Sequence, residues 1–89
     1  MKAVVTVIGK DKVGIIAMAS AECAKHGANI LDISQTVLKE YFAMIMLVEI
    51  DGLKTDFGTF AKEIQKAGEE CAVDIRVMHE DIFNSMHKI

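Results

Sequence analysis

Residues 57–77 read FGTFAKEIQKAGEECAVDIRV, and the spacing of the apolar residues changes partway along this stretch. From Val73 to Val77 apolar residues alternate with charged ones, which is the pattern of a half-buried strand. Before that point, apolar residues recur on one helical face: Phe57, Phe60, Ala61, Ile64, Ala67 and Cys71. The stretch therefore predicts an amphipathic helix, capped by Thr55 or Asp56, that leads directly into a strand.

The N-terminal part of the chain predicts a strand, a polar loop and a second helix. The strand spans residues 2–8 and ends at Gly9. The helix runs from about residue 13 to 26, and Gly27 follows it at the position where a left-handed C-cap is favoured. Its buried row is predicted to be Ile15 or Ile16 with Ala19 and Cys23, and its solvent face to be Glu22, Lys25 and His26.

Two more strands are predicted between the helices, at residues 29–38 and 41–50, with Lys39-Glu40 as a tight connection. The order β-α-β-β-α-β is that of the split βαβ in ferredoxin-like folds. We therefore predict an α+β, ferredoxin-like βαββαβ fold, with a four-stranded antiparallel sheet and two helices on one face. A short C-terminal helix follows, with apolar residues at helical spacing: Ile82, Phe83, Met86 and Ile89. The expected organisation is one domain over residues 1–89, with a core of 1–79 and a tail of 80–89.

This topology places the first and third strands at the centre of the sheet. A central strand with helices on one face should be apolar on one side only. The third strand instead has apolar residues on both: Phe42, Met44, Met46, Val48 and Ile50 on one side, Ala43, Ile45 and Leu47 on the other. We therefore expect a second subunit, together with the tail, to cover the second face. The alternative is that the tail alone folds back over its own sheet.

The charge balance argues against two classes of partner. The chain has 13 acidic and 10 basic residues, for a formal charge of −3. Its one arginine is Arg76, and no basic run occurs, so neither a nucleic-acid backbone nor an anionic membrane surface is an expected partner. The N-terminus lacks the long apolar region of a signal peptide.

The two cysteines, Cys23 and Cys71, both lie within helical apolar patterns. Their spacing fits neither a disulfide framework nor a zinc site. Free thiols of this kind suit a reducing compartment, so we expect a cytoplasmic protein without a metal or other cofactor.

Two stretches of the sequence together resemble the signature of the ACT domain family. They are VIGKDKVGII at residues 7–16 and GANI at residues 27–30, and the similarity continues through DISQ at residues 32–35. The chain is most similar to short stand-alone bacterial ACT proteins of about this length. The resemblance implies a regulatory domain whose ligand region combines the loop after the first strand with a later Asn-Ile pair.

Carried over residue by residue, the resemblance implies the following ligand-binding residues: Gly9, Lys10, Asp11, Val13, Gly14, Ile15, Asn29 and Ile30. It also implies that Asn29 and Ile30 come from the neighbouring subunit. The first turn of a helix has unpaired N–H donors that bind a carboxylate, and Asp11 could accept hydrogen bonds from an ammonium group. Such a loop suits a free amino acid. Many members have proline before the helix-opening glycine, where this chain has Val13.

Each of these residues also has a structural explanation. Asp11 could cap the first helix, and Gly14 could simply permit close packing of helix on sheet. Asn29 could tolerate a left-handed turn after Gly27. Lys10 and Lys12 could be solvated loop charges.

The sequence predicts a protein that is not an enzyme. Acylphosphatase-like chemistry would require an arginine in the loop after the first strand, and a ferredoxin-like metal chaperone would place Cys-x-x-Cys there; this loop reads KDKVG. An RNA-recognition module would need exposed aromatic residues on the central strands. We predict a homodimeric regulatory domain that senses an amino acid and modulates a separate enzyme or regulator. The alternative is a dimeric accessory subunit with no ligand.

Overall fold

The computed structural model describes residues 1–10 and 13–86, and its elements follow the predicted order. They are β1 (Lys2–Lys10), α1 (Ile15–His26), β2 (Asn29–Leu38), β3 (Tyr41–Glu49), α2 (Phe57–Glu70), β4 (Val73–His79) and α3 (Glu80–Met86). The ferredoxin-like prediction is confirmed, including the short C-terminal helix. The bounds differ slightly, because β1 continues to Lys10, α1 begins at Ile15 and β3 ends before Ile50.

The four strands form one antiparallel sheet in the order β2-β3-β1-β4. Val5 of β1 pairs with Met46 of β3 on one side and with Val77 of β4 on the other. The prediction that the first and third strands are central is therefore confirmed. β2 and β4 are the two edges, and the register of β2 shifts by a bulge between Ile30 and Asp32.

The core lies between one face of the sheet and the helices α1 and α2. Its largest fully buried side chains are those of Phe60, Met44, Met46 and Ile64. The helix α1 contributes Ile15 and not Ile16, which settles the alternative left open by the sequence. The helix α2 begins after Asp56, whose carboxylate accepts a hydrogen bond from the Thr59 hydroxyl.

The prediction that His26 faces solvent is wrong, because the residue is only 4% exposed. It completes the buried row of α1, one turn after Cys23. Its Nε2 lies 2.8 Å from a carboxylate oxygen of Glu63, and its ring meets Phe60 edge-on with centroids 5.6 Å apart. The Glu63 carboxylate of α2 is thus within ion-pair distance of the buried ring, although among the described residues the geometry at Nε2 is not that of a hydrogen bond. The sequence pattern treated histidine only as a polar residue.

The second face of the sheet, the open face, is covered by another part of the same chain at one end only. It consists mainly of alternate side chains of the two central strands: Lys2, Val4, Thr6, Ile8, Lys10, Tyr41, Ala43, Ile45, Leu47 and Glu49. The helix α3 contacts β1 and β4. Val4 is 4% exposed, whereas Ile8 is 53% and Ile45 45% exposed. The described part of the tail, α3, therefore folds back over its own sheet, but it leaves the end around Ile8 uncovered.

Candidate functional site

Gly14 holds the junction between the β1–α1 loop and α1 in a conformation that favours glycine. Its φ is +90°, in the left-handed region, and it occupies the N-cap position of the helix. A Cβ added at this residue would meet no atom of the described residues within 4 Å. The alternative that Gly14 permits close packing of helix on sheet is therefore wrong, and the backbone conformation is what requires glycine.

The first turn of α1 presents free backbone donors beside this glycine. The first hydrogen bond of the helix runs from the Met18 N–H to the Gly14 carbonyl, at 2.9 Å. The N–H groups of Ile15, Ile16 and Ala17 precede it and have no acceptor within the helix. Within the part of the chain that the structure describes, no side chain caps this end. Asp11 lies outside the described residues, so capping and ligand contact both remain predictions for it.

A depression of about 540 Å³ lies where the start of α1 meets β2 and β3. The backbone donors of α1 are at its border, and its wall is mostly apolar. Its lining residues are Gly14, Ile15, Ile16, Ala17, Gln35, Val37 and Phe42. Phe42 is buried at the base, while Val37 and Gln35 are exposed on the edge strand. The site can thus offer N–H donors, one side-chain amide and an apolar wall.

Three lining residues were not predicted from the sequence: Gln35, Val37 and Phe42. A signal existed for Gln35. It pairs with Met44, whose side chain is buried under the helices, so it is a polar residue on the core side of β2. A polar residue on a core-facing position of a strand is the kind of exception that indicates a site.

One chain does not bring the two predicted halves of the site together. Gly9 pairs with Phe42 at one end of the sheet, whereas Asn29 pairs with Glu49 at the opposite end. At about 3.3 Å per residue, the seven steps along β3 from Phe42 to Glu49 correspond to roughly 23 Å. Asn29 and Ile30 can therefore join this depression only from another chain.

The structure decides the alternative explanation for Asn29 and shows a packing role for Gly9. Asn29 opens β2 and is not among the residues with positive φ in the described chain, so the left-handed turn is wrong. At Gly9 a Cβ would lie 2.6 Å from the Val73 Cγ1, so this glycine makes room for β4. Lys10 is exposed, with its Nζ 3.9 Å from a carboxylate oxygen of Glu40.

The remaining reactive groups do not gather at the depression. Burial and the nearby Glu22 carboxylate raise the pKa of the Cys23 thiol to about 11, so the thiol is protonated at neutral pH. Among residues 1–10 and 13–86, no three His, Cys, Asp or Glu side chains are placed to hold a metal ion. None of the described helices is long and apolar enough to cross a membrane.

Comparison with known proteins identifies the family. The family model described as "ACT domain" matches residues 2–78. The UPF0237 protein of Methanocaldococcus jannaschii is 56% identical over 88 residues, which cover 99% of this chain and 98% of that protein. The UPF0237 protein of Clostridium acetobutylicum is 48% identical over 89 residues, covering 100% of both chains. Such relatives therefore occur in archaea as well as bacteria.

A solved structure agrees with these sequence relatives. The ACT domain protein from Streptococcus pneumoniae is 46% identical and superposes with a TM-score of 0.82, covering 98% of each chain. The chain belongs to the ACT domain family, among the small UPF0237 proteins.

Proposed function

We propose that this protein is a homodimeric regulatory domain that binds a free amino acid between its two chains and thereby modulates a separate enzyme or regulator. ACT domains are commonly regulatory ligand-binding domains. The observation that carries the proposal is the left-handed Gly14, which leaves the free N–H groups of α1 at the border of an apolar depression.

The edge strand β2 supports the dimer. It has ten residues with a single charge, Asp32, and its Leu31 and Val37 side chains are exposed. An edge of this length with one charge is a ready template for pairing with another strand. Two copies of β2 that pair antiparallel across a two-fold axis bring the start of each strand beside the end of the other. Asn29 and Ile30 of the partner then approach the depression beside Val37.

The chemistry of the completed site suits an amino acid with an apolar side chain. The N–H groups at the start of α1 bind the carboxylate, because the helix dipole and its unpaired donors both favour an anion there. Asp11 of one chain and the Asn29 amide of the other are the proposed partners of the ammonium group. The aliphatic or aromatic side chain packs against Ile15, Val37 and Phe42.

A thermal-shift panel of the common amino acids on tag-free protein tests this proposal. A ligand at 100 times its Kd stabilises the native state by about 2.7 kcal/mol, which raises the Tm of a domain this size by about 11–22 °C. We expect Leu, Ile, Val, Met or Phe to give the largest shifts. Ile16→Asp, in the wall of the depression, should abolish the shift. Ala21→Asp, at an exposed position of the same helix, should leave it unchanged.

A flat response to the entire panel would overturn the amino-acid site. In that case an accessory subunit without ligand is favoured by a specific observation, the exposed apolar residues Ile8 and Ile45 on the open face. The two candidates separate cleanly, since the accessory subunit would retain one protein from cell extract while no amino acid shifts its Tm.

The proposed protein catalyses no reaction, and its proposed location is the cytoplasm. The described residues that line the depression carry apolar groups and one amide, without a nucleophile or a general base. Turnover of acyl phosphates or aryl esters above background would contradict this part. The thiols of Cys23 and Cys71 suit a reducing compartment.

A further inference from the structure

We infer that the open face is a second interface between copies of this chain, in which α3 of each chain packs on the uncovered end of the other chain's open face. This surface differs from the β2 edge and from the depression, so the inference does not depend on the proposed function. Four features of the described residues lead to it.

The first feature is the uneven cover of the open face. Val4 is buried and Leu47 and Met78 are half-buried at the end where α3 lies. Toward the other end, Ile8 and Ala43 are paired neighbours, and both are exposed. Apolar side chains in the middle of a sheet face are normally covered by a further layer. One half of the face has such a layer, and the other half lacks it within one chain.

The second feature is that α3 is apolar on more than one side. Phe83 is half-buried, while Ile82 and Met86 are among the exposed large apolar side chains. A surface helix normally presents a single apolar stripe, and a helix that is apolar on several sides is one that is buried between layers. The sheet of its own chain accounts for one side of α3. The exposed Ile82 and Met86 require a second apolar surface.

The third feature is the charge pattern along β1. On the open face this strand reads Lys2, Val4, Thr6, Ile8, Lys10, which is nearly symmetric about Thr6. At the covered end, Lys2 lines a hollow together with the acidic first turn of α3, Glu80 and Asp81. At the uncovered end, Lys10 occupies the equivalent place.

A two-fold axis across the strands at the paired residues Thr6 and Ile45 superposes one end of the face on the other. It therefore brings the acidic turn of the partner's α3 beside Lys10. The arrangement at Lys2, where a lysine and the acidic turn of α3 line one hollow, is thus repeated between chains at Lys10. This complementarity of charge is what identifies a second copy as the occupant.

The fourth feature is size. The uncovered end extends from Thr6 to Lys10, four steps of about 3.3 Å, or roughly 13 Å. The seven residues of α3 are about 10 Å long at 1.5 Å per residue, so one helix fills that end. Two α3 helices side by side then form a middle layer, each between its own sheet and the sheet of its partner.

Carbodiimide cross-linking tests the predicted contact directly, because the reagent joins amines to carboxylates that touch. We expect a link from Lys10 to Glu80 or Asp81 between an isotope-labelled chain and an unlabelled one. Within one chain these groups lie at opposite ends of β1, roughly 26 Å apart over eight steps. Links from Lys2 to α3 and from Lys10 to Glu40 serve as internal controls. Recovery of the controls without the Lys10–α3 link overturns the inference.

The mass in solution provides a second test, by sedimentation of the 9.8 kDa chain. Ile45→Glu should halve the mass of the wild-type oligomer while its circular dichroism is unchanged, since the residue is exposed in one chain. Lys10→Glu should weaken the same association through charge alone. Gln65→Glu, at an exposed position of α2, is the matched control and should neither halve the mass nor weaken the association.

A monomeric wild-type protein, or an Ile45→Glu variant with wild-type mass, overturns the inference. A different protein on the open face would produce the second of these results. Leu31→Lys with Val37→Lys changes the β2 edge and the border of the depression but no residue of the open face, so its effect on mass reports on the proposed function separately.

Discussion

The two edge strands of the sheet, β2 and β4, differ in length and charge, and therefore in how readily each can pair with a strand of another chain. β4 has seven residues, and its Asp74 and Arg76 form an exposed ion pair with 3.1 Å between the Arg76 Nε and the Asp74 Oδ2. β2 has ten residues, a single charge and exposed apolar side chains at Leu31 and Val37. Charged, short edges discourage pairing, and long apolar edges invite it. The comparison indicates that this chain closes one edge and leaves the other available.

The largest expected effect comes from making β2 resemble β4. Leu31→Lys with Val37→Lys places four charges at a two-fold β2 interface and removes four apolar side chains. We expect the dimer Kd to rise at least about 100-fold, equivalent to about 2.7 kcal/mol. Sedimentation over a concentration series measures the change.

The matched control adds two lysines on the solvent side of α2, Gln65→Lys with Glu69→Lys, both at exposed positions. It should leave the Kd near the wild-type value. An edge variant that dimerises as tightly as this control would show that the β2 edge is not the interface.

The second effect concerns how tightly β4 is packed against β1. In Gly9→Ala the new Cβ would lie 2.6 Å from the Val73 Cγ1, so the strands must shift. We expect the free energy of unfolding to fall by about 1–3 kcal/mol, as for other overpacked cores. Urea denaturation measures it.

Gly58→Ala in α2 is the control for that substitution. Its Cβ would have one neighbour at 3.4 Å, the Asp56 Oδ2, and alanine is the better helix former. The change in unfolding free energy should stay within about 1 kcal/mol and be stabilising. Equal losses of unfolding free energy in both variants would contradict the tight packing of β4 against Gly9.

A smaller effect on stability, but a visible one on association, is expected when the β4 charges are removed. Asp74→Thr with Arg76→Val should change the unfolding free energy by less than about 1 kcal/mol, since the ion pair is exposed. Light scattering should nevertheless detect larger assemblies, because both edges then invite pairing. The swap Asp74→Arg with Arg76→Asp keeps both charges and should behave as the wild type does. Larger assemblies from the swapped variant as well would mean that charge does not protect this edge.

The smallest expected effect concerns the cysteines of the helices beside the two edges. The helix α1, which packs beside β2, contains Cys23, and α2, which packs beside β4, is followed by Cys71. The pKa of Cys23 is raised to about 11, so the unfolded chain loses this thiol proton at a lower pH than the native protein does. The buried, protonated Cys23 thiol therefore makes its full contribution to stability below about pH 9, near the ordinary pKa of a thiol. That contribution is lost as the pH rises through 11.

Cys23→Ala should therefore reduce the fall in Tm between pH 8 and pH 11, and Cys71→Ala serves as the control for removing a thiol. The native Cys23 thiol should also react with iodoacetamide about 100-fold more slowly at pH 8 than a free cysteine, because so little thiolate is present. Rapid alkylation of native Cys23 would contradict its burial.

The sequence by itself determined the element order, the central strands and the closure of α1 at Gly27. These follow from local periods and from the backbone freedom of glycine, both of which are properties of neighbouring residues. It also indicated Gly14 through the resemblance, although the reason for that glycine is its left-handed φ and not the packing considered first.

Only the tertiary structure decided the rest. His26 is buried against Glu63 and Phe60, which lie on another helix, and the depression depends on the pairing of β2 with β3. The separation of Asn29 from Gly14 and the partial cover of the open face by α3 likewise depend on register and on the path of the tail. Residues far apart in the chain supply these contacts, and periodicity along the sequence has no information about which of them will meet.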